Sequence, residues 1–222
     1  MATLAGLALL GAAYQSDVHA TPFTGTYFPD GAGGTATPDD AVGPWTLSST
    51  DTTFGFVSRV INENATFSQL TNLNVEFLSI SGGGGGGAPR LRVLLDADND
   101  GMISAGDKSL TIHLGTAPGF VDTTAALNAL NQMNLINNDT GRYDLTAFGG
   151  SNFTDHAAAL AVGGAFRVLR LAVVLDSFGG ADKEFQVISI NGEFNAVPEP
   201  MTLGLFGLGL AGLGLSRRHK SA

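Results

Sequence analysis

Four carboxylates crowd one short segment, Asp96-Ala97-Asp98-Asn99-Asp100-Gly101-Met102-Ile103-Ser104-Ala105-Gly106-Asp107. A calcium ion takes about six to eight hard oxygens, and a loop with carboxylates at alternate positions and a glycine at its sharp turn can wrap one. Gly101 permits the positive φ of that turn. A hairpin turn with solvated carboxylates would use the same residue types. Four negative charges in one loop repel one another unless neutralised, however, and this favours an ion. The flanks must hold the loop in shape. Residues 91–95 and 110–114 both read as short strands, so the expected frame is a β-hairpin with the acidic loop at its tip.

The loop resembles the calcium loop of EF-hands and, more closely, the dockerin-type variant that ends in Asp. The resemblance implies side-chain oxygens from Asp96, Asp98 and Asp100, the backbone carbonyl of Met102, a direct or water-mediated contact from Ser104, and closure by Asp107. Two departures limit it. The flanks read as strands where that family has helices, so a sensor's opening motion is not implied. Asp107 is also shorter than the usual closing Glu, which puts bidentate closure in doubt.

Catalysis finds little footing. His19 and His219 lie in segments expected to be removed, which leaves His113 in a strand and His156 in the first turn of a short helix. No Gly-x-Ser-x-Gly elbow, His-Glu-x-x-His helix or phosphate-binding loop is present. Six consecutive glycines within residues 81–88 satisfy G-x-G-x-x-G only trivially, because the run leads through Pro89 into a strand instead of opening a helix. Asp and Glu are too scattered to single out a glycosidase pair. The expectation is a protein that is not an enzyme.

The whole chain has 11 basic and 20 acidic residues, and removal of Arg217, Arg218, Lys220 and Asp17 leaves 8 against 19, a net charge near −11. Such a surface repels phosphate backbones, so nucleic acid is not an expected partner, whereas divalent cations suit it. With no cysteine, stability must come from the core, with help from an ion. The 31 glycines and only 14% charged residues suggest short strands joined by many turns.

Along the chain, residues 21–42 read as a loose entry with one edge strand. Residues 45–49, 54–60 and 65–80 alternate as strands do, with Leu73, Val75 and Phe77 on one face, then Leu78 and Ile80 on the other, which suggests a bulge. From Asp122, apolar residues recur at helical spacing through Leu130 to Met133. Thr154 is placed to cap a second short helix that Gly163 and Gly164 would stop. Residues 166–175 fill both faces of a central strand, and residues 185–194 follow a Gly179-Gly180 turn as its hairpin partner. The pattern predicts an all-β fold, a β-sandwich of jelly-roll type with one or two short helices on connections. Residues 88–93, 173–177 and 187–192 look similar to sandwich ectodomains that precede tails like the one here, and that similarity carries no residue-level function.

The two ends are addresses. At the N-terminus, residues 2–13 are apolar and Val18-His19-Ala20 places small residues for signal peptidase, so residues 1–20 read as a signal peptide cut before Thr21, although no Lys or Arg opens it. The C-terminus joins an extended Val197-Pro198-Glu199-Pro200 to an uncharged apolar run, residues 201–215, and then to the basic stop Arg217, Arg218 and Lys220. As a transmembrane helix that run would reach roughly 22 to 24 Å against a hydrocarbon core of about 30 Å, a marginal and temporary anchor. Residues 197–222 resemble the PEP-CTERM sorting signal of exopolysaccharide-producing Gram-negative bacteria. The resemblance implies cleavage near Pro-Glu-Pro by a membrane-embedded exosortase and release of the 21–196 ectodomain to the cell surface or extracellular matrix.

The expected role is a structural or adhesion component of a biofilm matrix, calcium-stabilised, with exopolysaccharide as a possible partner. A lectin-like carbohydrate-binding module is the alternative and a glycan hydrolase the third. For sugar stacking, Trp45, Tyr27 and Tyr143 are the candidate platforms, with a core role favoured for Trp45.

Overall fold

Alternation dominates the burial of this chain, and alternation makes sheets. The structure, a computed structural model, describes residues 20–22, 24–32, 34–38, 40–50, 53–81, 89–114, 130–134, 136, 142–176 and 182–195. Contacts gather Ala20–Asn195 into one unit. The strands are β1 (Ala20–Pro22), β2 (Tyr27–Ala32), β3 (Thr35–Thr37), β4 (Trp45–Ser49), β5 (Phe54–Val60), β6 (Leu70–Ser81), β7 (Arg90–Leu95), β8 (Lys108–His113), β9 (Leu130–Asn134), β10 (Tyr143–Asp144), β11 (Val168–Asp176) and β12 (Lys183–Asn195). Among the described residues one α-helix, α1 (His156–Gly163), stands with them. One antiparallel sheet runs β3-β4-β12-β6-β9, with β1 also on β12, and the other runs β10-β8-β7-β11-β5-β2.

The eight strands β4 to β9, β11 and β12 are ordered as in a jelly roll. Successive strands cross from sheet to sheet, except that β7 and β8 stay in one sheet as a true hairpin, paired from Arg90 opposite His113 to Leu95 opposite Lys108. The inward positions of both sheets meet in one core. Trp45 and Leu47, then Leu73, Val75 and Phe77, then Phe185, Val187 and Ile190 are buried on one side; Leu91, Val93 and Leu95 with Leu171, Val173 and Leu175 face them. Each such side chain contributes roughly 1.5–3 kcal/mol on burial, which is how a chain without disulfides holds together.

Several expectations change. The last two strands are not a hairpin: β11 pairs with β5 and β7, whereas β12 pairs with β4, β6 and β1 in the opposite sheet. Both strands carry buried apolar faces, and the jelly-roll crossing lets each sheet take one. The helix expected from Asp122 fails at its C-terminal end, because Leu130–Asn134 is strand β9 on the edge of β6, with Val75 opposite Met133. Its first part, residues 122–129, lies outside the described residues, as does the glycine run 82–87. The 21–42 entry holds three strands where one was expected, and Ala20, which cleavage before Thr21 would remove, begins β1. In β6 the alternation continues unbroken through Ser79, and the expected bulge is present near the strand's end at Ile80, where Ser79 and Ser81 pair with the consecutive Phe185 and Glu184.

The second expected helix is present as α1, capped one residue later than expected. Asp155 accepts a hydrogen bond from the Ala158 N–H at 2.8 Å, while the Thr154 hydroxyl donates to the Tyr143 carbonyl. Asp155→Ala is therefore expected to lower the unfolding free energy by about 1 kcal/mol, measured by denaturant titration, with Thr154→Val leaving the cap intact.

Candidate metal centre

The β7–β8 hairpin carries residues 96–107 at its tip, as the flanking strand signals predict. Asp96 follows Leu95 directly and is buried, its N–H donating to the Arg167 carbonyl at 3.0 Å. Its carboxylate braces the loop: Oδ1 accepts from the Asp100 N–H at 3.1 Å and Oδ2 from the Gly101 N–H at 3.0 Å. Gly101 has φ +75°, as expected, and Asn99 also takes a positive φ of 60°, which Asn tolerates better than most residues.

Ser104 ties the return arm to the outgoing one. Its hydroxyl donates to Asp98 Oδ2 at 2.8 Å, its N–H donates to Asp107 Oδ2 at 2.8 Å, and its oxygen accepts from the Gly106 N–H at 3.0 Å. The result is convergence: Asp96, Asp98 and Asp107 each present a carboxylate oxygen, all within 4.8 Å of one another. The other oxygen of Asp107, Oδ1, is buried without a hydrogen-bond donor. A buried carboxylate oxygen left bare is costly unless a cation takes it.

Of the six residues expected as ligands, Asp96, Asp98, Ser104 and Asp107 are brought together. Asp100 lies outside the converging three, and its Oδ1 accepts from the Met102 N–H at 2.7 Å. The Met102 side chain is exposed. Two contributors escaped the sequence reading. A side chain at Gly106 would strike the Asp98 carboxylate, so the glycine makes room for a ligand. Gly106→Ala is expected to displace Asp98 and weaken calcium binding several-fold in a calorimetric titration, with little change in the calcium-free melting curve. Arg167 shares a polar pocket of about 310 Å³ with Asp96, Asn99 and Asp100, although it sits far along the chain. It arrives with β11, whose Val168 pairs with Leu95, and no local signal could have announced it.

Burial pulls Arg90 below the usual guanidinium range, with Arg92 adding to the effect and Asp144 opposing it. Burial likewise lowers Arg142, opposed by Tyr143, and lowers Lys183, where Arg90 adds to it. His113 is buried, 3.2 Å from Asn152 Oδ1 through Nε2 and packed against Phe153, and His156 packs on Phe67 and Tyr143.

The aromatic platforms named from sequence are spoken for. Trp45 and Tyr143 are buried, and Tyr27 packs its ring 4.4 Å from Trp45 while its hydroxyl donates to the Ile190 carbonyl at 2.9 Å. Among the described residues, the exposed rings are Phe28, Phe54 and Phe153.

The model of the PEP-CTERM protein-sorting motif matches residues 196–218, which include Val197, Pro198, Glu199 and Pro200. The chain thus carries this sorting motif, which implies processing by exosortase and an exported, membrane-anchored intermediate before release at the cell surface. The motif, the expected transmembrane helix 201–215 and the basic stop lie outside the described residues, and no helix among those described is long and apolar enough to cross a membrane. No curated protein matches the sequence.

Among solved structures, the family 11 carbohydrate-binding module of the cellulosomal cellulase Lic26A-Cel5E of Clostridium thermocellum is similar at 8% identity, with a TM-score of 0.43, covering 83% of this chain and 99% of that one. A solution structure of CtCBM11 gives 9% identity and a TM-score of 0.42, covering 82% and 90%. PfGH50B gives 10% and 0.36, covering 82% of this chain and 25% of its own. At these values neither ligand nor activity transfers.

Proposed function

We propose that this chain is an exosortase-sorted structural or adhesion protein of the bacterial surface or biofilm matrix, whose β-sandwich is stabilised by calcium bound at the tip of the β7–β8 hairpin. The sorting part is supported by the motif at residues 196–218. The calcium part is carried by one observation: three carboxylates converge within 4.8 Å while Asp107 Oδ1 is buried with no donor. Asp96, Asp98 and Asp107 would supply anionic oxygens, the Ser104 hydroxyl a neutral one, and water the remainder of a shell of about six to eight. A divalent cation converts the repulsion among those carboxylates into attraction, so it locks the β7–β8 hairpin. The role is mechanical and adhesive, not catalytic. Comparing the surface proteome of a host with and without its exosortase gene tests the sorting part: the protein is expected at the surface in the first case and in the membrane fraction in the second. Unchanged surface release without exosortase sinks it.

A further inference from the structure

The outer face of the second sheet sets two arginines beside an aromatic pair, in strands where Asp176 pairs with Phe54 and Asp30 with Phe56. Phe54 and Phe56 of β5 both point outward, with ring centroids 6.2 Å apart and planes inclined by 24°. Phe54 is 38% exposed. Across β11 and β7 the same face continues through Val174 and Leu94, and Arg92 and Arg170 stand over it; together these residues line a shallow groove of about 110 Å³. Arg92 pairs with Ala172 and Arg170 with Leu94, so the two arginines are diagonal neighbours with Cβ atoms roughly 7–8 Å apart. Among the described residues neither guanidinium is held in an ion pair or hydrogen bond.

We propose that this groove binds an acidic polysaccharide, with the apolar face of a sugar ring on the phenyl and aliphatic floor and uronate carboxylates on Arg92 and Arg170. An aromatic wall with a few placed polar groups is the usual make-up of a small-ligand site, and a guanidinium meets a carboxylate through two parallel hydrogen bonds. The floor is a flat sheet interior whose backbone amides are spent in the β5–β11–β7 ladders, so a peptide gains nothing there by strand addition. The proposal rests on the surface reading above for its setting, since exopolysaccharide is met outside the cell.

The full-length protein in mild detergent, with EDTA present so that neither calcium-bridged polymer nor the Asp96–Asp107 loop contributes, is titrated calorimetrically with polygalacturonate, neutral dextran and polyglutamate. Polygalacturonate alone is expected to bind, with affinity falling as salt rises and dropping more than tenfold in the Arg92→Gln/Arg170→Gln double variant. Arg92 is exposed, so Arg92→Gln alone keeps the wild-type melting curve while still weakening binding several-fold, and Phe54→Ala does the same. No binding, equal binding of dextran, or equal binding of polyglutamate overturns the proposal. So does a concentration-dependent dimer that the double variant abolishes. Surface release is read separately: a correctly sorted protein that ignores polygalacturonate sinks the groove alone, and a membrane-retained one that binds it sinks the sorting alone.

Discussion

Calcium is expected to raise the melting temperature of the full-length protein, and Asp107→Asn or Asp98→Asn is expected to remove the rise. At calcium about a hundredfold above the dissociation constant, linkage stabilises the folded state by about 2.7 kcal/mol for one site that the unfolded chain lacks. Extracellular calcium modules bind at about 10⁻⁴ to 10⁻³ M, so about 10 mM calcium reaches that ratio at the tighter end. For a unit the size of Ala20–Asn195, each kcal/mol is about 2–4 °C, which places the rise at about 5–11 °C.

The variants should separate by what each carboxylate does. Asp98→Asn and Asp107→Asn relieve repulsion among the three converging groups, so the calcium-free protein melts as before or slightly higher. Asp96→Ala differs, because its carboxylate accepts two backbone N–H groups; removal lowers stability by about 1–3 kcal/mol even without calcium. Asp100→Ala, outside the converging set, is expected to keep most of the increment. If calcium leaves the wild-type melting curve unmoved and calorimetry shows no heat, the loop is an acidic turn and no more.

Pro198→Ala combined with Glu199→Ala is expected to convert a released protein into a retained one. The motif places Pro-Glu-Pro ahead of an uncharged apolar run, residues 201–215, and on the proposed reading that run would anchor the chain only until the cut. Without recognition the apolar run and the Arg217-Arg218 stop hold the chain in the membrane, and the variant is recovered there in its longer form. Mass spectrometry of the wild-type surface protein is expected to find nothing beyond the cleavage region. Recovery of intact residues 201–222 from that form would falsify the processing claim.

What was legible before folding was whatever is local. The strands flanking the acidic loop, the glycine at its turn and the apolar faces of Leu73 to Phe77 are written in neighbouring residues, and they appear as β7, β8 and β6. Partner choice is not local. Nothing within Val168–Asp176 or Lys183–Asn195 says that the two strands belong to opposite sheets, and neighbours in sequence usually do pair. Leu130 and Met133 fit helical spacing, but the unpaired edge of β6 recruits them as a strand, a tertiary override of a short periodic signal. At the site, alternate carboxylates suggested a cation without saying which of them would converge. That depends on the positive φ of Asn99 and on Ser104 bridging Asp98 to Asp107, contacts that form only once the loop closes.

The position of β12 also sets a timetable. It is the last strand of the domain in sequence and yet lies between β4 and β6 in the interior of its sheet, with β1 added to it where Thr21 meets Phe194. A chain exported from its N-terminus therefore cannot complete that sheet until Asn195 has crossed the membrane, and such long-range closure is slow. The sorting segment follows at once, at residue 196, so a membrane-anchored intermediate would hold the chain at the membrane during the interval in which the sheet closes. Pulse-labelled protein is expected to become protease-resistant while still membrane-bound, before the cleaved form appears; protease-sensitive material in the released fraction would show that cutting precedes folding.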